Sequence, residues 1–534
     1  MSTVKNILFV MADQLRFDYL SCYGHPHLET PNIDRLASRG VRFERAYAPS
    51  PVCGPSRASF YTGRTTFSHG STWNHVPLPI GELTIGDYLR ETGYTTAVVG
   101  KTHMVPDREG MARLGLTEDT EIGMRVANTS FEPFERDDGL HPTPIFLKMG
   151  GQLSYNDWLR ERGYDGENPW NDYANSAEGP DGGILSGWYL ENSHLPARVK
   201  EEHSETAYMT MRAKEFITEM GDDPWLLHLS YIKPHWPYMA PAPYHDMYSP
   251  ETFLDPQQSE AEREDPNPVF GAFMDMDVSR SFSTPSVRAK VIGAYMGLVK
   301  QIDDHLGQLF DWMDETGRAD DTMIVFTSDH GDYLGDHFLG EKELFHEVSV
   351  KIPLIIVDPR PEADATRGTV SDALVEGIDL VPTFLEATGS PPNEHRIEGS
   401  SLQTFLHGDV PDSWRNAAFS EIDYGIYPAR NTVDVGPSEA RAYMLRTDRW
   451  KYVYFKGFAP QLFDLDADPN EYVDLGRDPA YAPVCQELLG LLLDRLTSSK
   501  NRVTMTNEEV LGMHGLEKER GIVIGQVEQP SERL

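Results

Sequence analysis

Five short, largely apolar runs punctuate the first two thirds of the chain: Ile7 to Met11, Thr95 to Val99, Trp225 to Leu229, Met323 to Phe326 and Ile352 to Val357. Continuous rather than alternating apolarity marks strands buried on both faces, as in a parallel sheet. Helical signals lie between them. Thr30-Pro31-Asn32 offers an N-cap followed by proline at the first helical position, and Glu82 to Thr92 stops at Gly93. Val287 to Glu315 carries Val291, Ile292, Tyr295, Leu298, Val299 and Ile302 at helical spacing, as a long packing helix does. The alternation predicts an α/β fold, a large and mostly parallel sheet sandwiched by helices.

The pattern changes after Gly389. Arg441 to Thr447 and Arg449 to Phe455 read as a pair of half-exposed strands, and an amphipathic helix is predicted near Val484 to Thr497. We therefore expect a large α/β domain over 1–390, a smaller α+β C-terminal domain over 391–500, and a tail or oligomerisation arm over 501–534. The stretch from Met104 to Gly221, rich in Gly, Pro, Asn and Trp, reads as loops and insertions over the sheet.

Composition narrows the partners. A formal charge of −37, from 47 Lys+Arg against 84 Asp+Glu, repels phosphate backbones and anionic lipid headgroups, so neither nucleic acid nor membrane is expected. A small anion could be held only by cations gathered locally in a pocket. No apolar run approaches the roughly 20 residues of a membrane span. Three cysteines, Cys22, Cys53 and Cys485, give no disulfide framework, which suits a cytoplasmic location.

Ligands of open α/β sheets bind beyond the carboxyl ends of strands. Four of the proposed strands run there into polar residues: Asp13-Gln14, Lys101-Thr102-His103, Lys233-Pro234-His235, and Ser328-Asp329-His330-Gly331-Asp332. Asp13, Asp329 and His330 make a mixed set of two carboxylates and one imidazole. It suits one divalent ion, with Mn²⁺ favoured and Ca²⁺ the alternative. Taken singly, Asp13 could cap a turn, His103 and His235 could be core histidines, Lys342 a solvated lysine and Asn74 a turn residue. The placement of Asp13, His103 and His235 with Asp329 and His330 at four strand ends favours one site.

The segment Cys53-Gly54-Pro55-Ser56-Arg57 resembles the formylglycine signature of the sulfatase family, in which a maturation enzyme oxidises the cysteine to an aldehyde. With MADQ, TPNIDRLASRGVRFERAY, GKTH and TSDHGDYLGDH, the resemblance to a sulfatase of the alkaline phosphatase superfamily runs from residue 5 to about 390. YIKPHWPYMAPAPYHDMY and LGEKELFHE look more like the phosphonate monoester hydrolase branch, and LFDLDADPNEYVDL resembles the small-domain motif common in sulfatases.

The resemblance implies that Asp13, Asp329, His330 and modified Cys53 hold the metal, with Gln14 at or beside them. Gln14 and His330 stand where mainstream sulfatases carry aspartate and asparagine, as in the phosphonate hydrolase branch. Arg57 would orient the nucleophile, while Lys101, His103, His235, Lys342 and Asn74 would surround the transferred group. That branch carries tyrosine and threonine where Lys101 and His103 stand here. The Lys-x-His pair is that of arylsulfatases, so the expected substrates are sulfate monoesters first, then phosphonate monoesters and phosphate diesters. A phosphonate monoester hydrolase or phosphodiesterase is the alternative, and a non-catalytic anion-binding relative the more distant one. The expected partners are a small anionic ester, the maturation enzyme and further copies of the chain in a dimer or tetramer.

Overall fold

The computed structural model describes residues 3–140, 153–409, 411, 413–514 and 516. Among these, the main strands are β1 (Asn6–Asp13), β2 (Val41–Tyr47), β3 (Thr95–Gly100) and β4 (Glu132–Arg136). A small hairpin follows, β5 (Ser176–Glu178) with β6 (Ile184–Ser186). Then come β7 (Trp225–Pro234), β8 (Thr322–Thr327), β9 (Lys351–Val357) and β10 (Thr369–Glu376). Eight of them form one sheet in the order β10-β2-β9-β8-β1-β7-β3-β4.

Buried strand residues alternate between two cores. Leu8, Val10, Leu227, Leu229, Ile324 and Phe326 face the helices Glu205–Met220 and Pro285–Glu315. Ile7, Phe9, Leu226, Met323 and Val325 face the opposite layer, which includes Leu380–Thr388. Helices on both faces explain why these strands are apolar throughout.

Two expectations need correction. Ile352 to Val357 was expected to run parallel, but β9 pairs antiparallel with both β8 and β2. An apolar run reports burial on two faces and carries no direction. Here the chain leaves β8, loops at its carboxyl end and re-enters the sheet from that same end. The span expected to be loops contains the 16-residue helix Glu205–Met220, whose N-cap Ser204 accepts from Ala207 N. Buried Glu205, Thr206 and Thr210 interrupt the apolar spacing that would have marked it.

The C-terminal region carries an antiparallel sheet of β11 (Ala417–Asp423), β12 (Arg441–Thr447), β13 (Trp450–Phe455) and β14 (Gln461–Asp464). Ala442, Met444, Val453 and Phe455 pack on Tyr333, Leu344 and Phe345 of the segment following β8. Leu488 and Leu492 of the helix Ala482–Thr497 cover Phe419, Leu445 and Tyr452 on the other face. Of the 501–534 arm, Val503 O accepts from Arg396 and a helix spans Asn507–Gly512; most of the remainder lies outside the described residues. No helix among the described residues is long and apolar enough to cross a membrane.

Candidate active site

The strands ending in Asp13, Lys101, His235 and Asp329 prove to be neighbours, β8-β1-β7-β3, all parallel. Their carboxyl ends therefore open on one side of the sheet. The donors of Asp13, Cys53, Asp329 and His330 lie within 4.8 Å of one another, and all four residues are buried. Cys53 begins the helix Cys53–Thr62, and its Sγ sits 3.0 Å from His330 Nε2 and 3.8 Å from Asp13 Oδ1. His330 Nδ1 donates to Gly331 O at 2.8 Å, leaving the Nε2 lone pair turned toward Cys53. Burial and nearby Lys342 hold His330 below the usual histidine range, so the ring is neutral, as metal ligation requires. Two carboxylates, an imidazole and residue 53 thus fit a single divalent ion.

Arg57 lies one helical turn after Cys53 and is fully buried. Its guanidinium donates to Asp329 Oδ2 at 2.8 Å and Asp13 Oδ2 at 3.2 Å, then to Lys101 O and Ser230 Oγ, both at 2.8 Å. Lys101 pairs with the same Asp13 carboxylate. Burial alone would raise the Asp13 pKa, but the Lys101 ammonium and the Arg57 guanidinium hold it well below the usual carboxylate range. As a free thiol, Cys53 is pushed up to about 11 by burial and by Asp13.

Gln14 stands in the left-handed region at φ 64°, and its backbone N donates to Asp329 Oδ1 at 3.0 Å. Its Oε1 accepts from Lys342 Nζ at 2.8 Å, and its Nε2 donates to Asp332 Oδ2 at 2.6 Å. Tyr238 OH donates to that same Asp332 oxygen at 2.6 Å. Lys342, expected as a cation of the site, is buried, and its ammonium also reaches His235 Nε2 at 3.1 Å. Burial opposes that charge, but nearby acidic groups, Glu341 and Asp13 among them, outweigh it and keep Lys342 protonated. His235 and His103 are both held well below the usual histidine range, first by burial and then by Lys342 and Lys101 respectively. His103 Nδ1 is buried without a partner.

Asn74 accepts from Gly54 N through Oδ1 at 2.8 Å, satisfying one of the free amides at the start of the helix. Gly54 is needed for that approach, because a Cβ there would stand 2.9 Å from Asn74 Cα. Ser230, Asp332 and Tyr238 were missed as members of the site. Asp332 stands in the acidic turn after β8, where its sequence position was a signal; Ser230 and Tyr238 had none.

A family profile described as "Sulfatase" matches residues 5–390. The chain belongs to the sulfatase family. A second profile, N-sulphoglucosamine sulphohydrolase, C-terminal, matches residues 335–498. The chain is 32% identical over 518 residues to a multifunctional alkaline phosphatase superfamily protein, PehA, of Trinickia caryophylli, covering 91% of this chain and 94% of that one. It is 28% identical to an arylsulfatase of Clostridium perfringens, with 95% and 97% covered. Among solved structures, it resembles a phosphonate monoester hydrolase from Silicibacter pomeroyi with a TM-score of 0.81, at 28% identity and with 95% and 98% covered. The family match and these likenesses support a hydrolase acting on sulfate or phosphonate esters.

Proposed function

We propose that this family member hydrolyses sulfate monoesters, with phosphonate monoesters and phosphate diesters as secondary substrates, using a formylglycine made from Cys53. The observation that carries the reading is the burial of Arg57, Lys101 and Lys342 around Cys53 in a chain of formal charge −37. Such a pocket overrides the repulsive average field and holds the oxygens of a tetrahedral anion.

Asp13, Asp329, His330 and residue 53 would hold one divalent ion, with Mn²⁺ favoured and Gln14 beside it. The ion would lower the pKa of the residue-53 hydroxyl and draw charge from the ester oxygens. The chain's own groups do the rest. Arg57 fixes the carboxylates, Lys101 and Lys342 hold the ester's anionic oxygens, and Asn74 fixes the backbone beside residue 53. Because His235 is neutral and accepts from Lys342, the proton for the departing alcohol resides on Lys342 and is handed over by the Lys342-His235 pair. His103, neutral and with a free ring nitrogen, takes the proton from the second hydroxyl of residue 53. The maturation enzyme that converts Cys53 is the expected protein partner, and the cytoplasm the expected location of a homo-oligomer.

A preference for phosphonate esters is the second reading, supported by the likeness to the Silicibacter pomeroyi hydrolase. A panel of aryl sulfate, phosphonate monoester and phosphate diester with one leaving group, run with mass spectrometry of the Cys53 peptide, tests both. The first reading expects the highest kcat/KM on the sulfate and an aldehyde at residue 53. A higher value on phosphonate selects the second, and an intact thiol in fully active enzyme removes the aldehyde.

A further inference from the structure

Outside that site, Glu262, His337 and His346 place their side-chain donors within 4.8 Å of one another, and all three are buried. They arrive from separate parts of the chain. Glu262 sits in the single turn Glu260–Arg263, and its Oε2 accepts from Ser259 N at 2.7 Å, which fixes the carboxylate. His337 lies after β8 in the left-handed region at φ 52°, with Nδ1 2.6 Å from Glu262 Oε1. The His346 ring stacks on the His337 ring with centroids 3.9 Å apart.

His346 supplies the decisive observation. Its Nδ1 lies 2.8 Å from Tyr333 OH, while its Nε2 is buried without any partner in a residue only 3% exposed. An orphaned ring nitrogen at such depth is costly unless something accepts its lone pair. Tyr333 OH accepts from His346 N at 3.3 Å, and an ion at Nε2 would set the ring tautomer with its proton on Nδ1 facing that same oxygen, the arrangement that orients metal-bound histidines. Burial and the neighbouring His337 hold His346 well below the usual histidine range, which keeps it neutral. A cavity of about 350 Å³, lined in part by Glu262, His346, Glu471 and Tyr472, gives the group an approach and a carboxylate-rich wall.

We propose that Glu262, His337 and His346 form a second divalent-cation site, of the zinc class, that braces the fold and leaves a fourth position to water. Two imidazoles and one carboxylate form a donor set suited to Zn²⁺, and an ion there replaces the proton shared by His337 and Glu262. Its place in the chain gives it a purpose. Lys342 falls between His337 and His346, so one ion would pin both ends of the segment that presents this lysine to the ester. The same segment packs on the C-terminal sheet through Leu344 and Phe345.

The test uses the full chain, stripped with chelator and titrated with Zn²⁺ alone, with bound metal counted by elemental analysis. Wild type should take up two equivalents and His346→Phe and Glu262→Gln one each. Asp13→Asn combined with Asp329→Asn, which leaves the second site whole, should retain one equivalent. Zn²⁺ should raise the melting temperature of that double variant and lose the effect when His346→Phe is added. No retained equivalent in the double variant, or an unchanged count in folded His346→Phe and Glu262→Gln, overturns the proposal.

Discussion

Lys342 Nζ stands 3.1 Å from His235 Nε2, and the hydrogen bond runs from ammonium to neutral imidazole. The far side of the ring settles the direction, because His235 Nδ1 lies 2.6 Å from the carbonyl of Trp236 and must carry the proton it donates there. The pair therefore holds its transferable proton on the lysine before substrate arrives. In the proposed reaction this arrangement makes Lys342, acting with His235, the source of the proton.

Replacing Lys342 by Met should therefore slow esters of poorly acidic alcohols most, on the order of a hundredfold to ten-thousandfold. His235→Ala should give a smaller but parallel change. The readout is the slope of log kcat/KM against leaving-group pKa. A slope unchanged by Lys342→Met would remove the lysine from proton transfer.

In the proposed reading, Lys101 and His103 carry the choice between sulfur and phosphorus. Substituting both, Lys101→Tyr with His103→Thr, should lower kcat/KM for aryl sulfates at least about tenfold more than for aryl phosphonates, a difference of about 1.4 kcal/mol in transition-state binding. Matched substrates with one leaving group give the comparison. Equal losses on the two esters would assign the preference elsewhere.

Arg57 is fully buried between Asp13 and Asp329. Removing one partner of a buried ion pair strands the other charges, at a cost of about 3–5 kcal/mol. Arg57→Met should accordingly lower stability in denaturant melts and reduce the divalent metal retained on gel filtration. Wild-type stability in that variant would show the carboxylates to be held by other groups.

Outside the site residues, burial lifts the Glu421 carboxyl to about 8, against partial compensation from the Phe67 amide and from Arg441. The same group titrates near 4.3, roughly, in the unfolded chain. Between those values the native state binds more protons than the unfolded state, so stability falls as pH rises and levels off above the native pKa. Glu421→Gln can keep the acceptor for Phe67 N while removing the titration. It should flatten the decline in folding stability across that window, measured by denaturant melts at several pH values. An unchanged slope would place the pH sensitivity in other groups.

Much of this protein was legible in the order of its residues. Apolar runs ending in Asp13, Lys101, His235 and Asp329 announced strands with a shared polar edge, because burial on both faces leaves a one-dimensional mark. The segment around Cys53 pointed to the sulfatase family, and the family match over residues 5–390 agrees. Tertiary structure alone decided that those strands are adjacent and parallel, that β9 runs against them, and that Gln14 turns toward Lys342. It also brought Glu262 to His337 and His346 across 75 residues or more. Direction of pairing, side-chain partners and the protonation of Lys342 against His235 depend on distances in space. Residue order does not encode these distances locally, and packing of the whole chain fixes them.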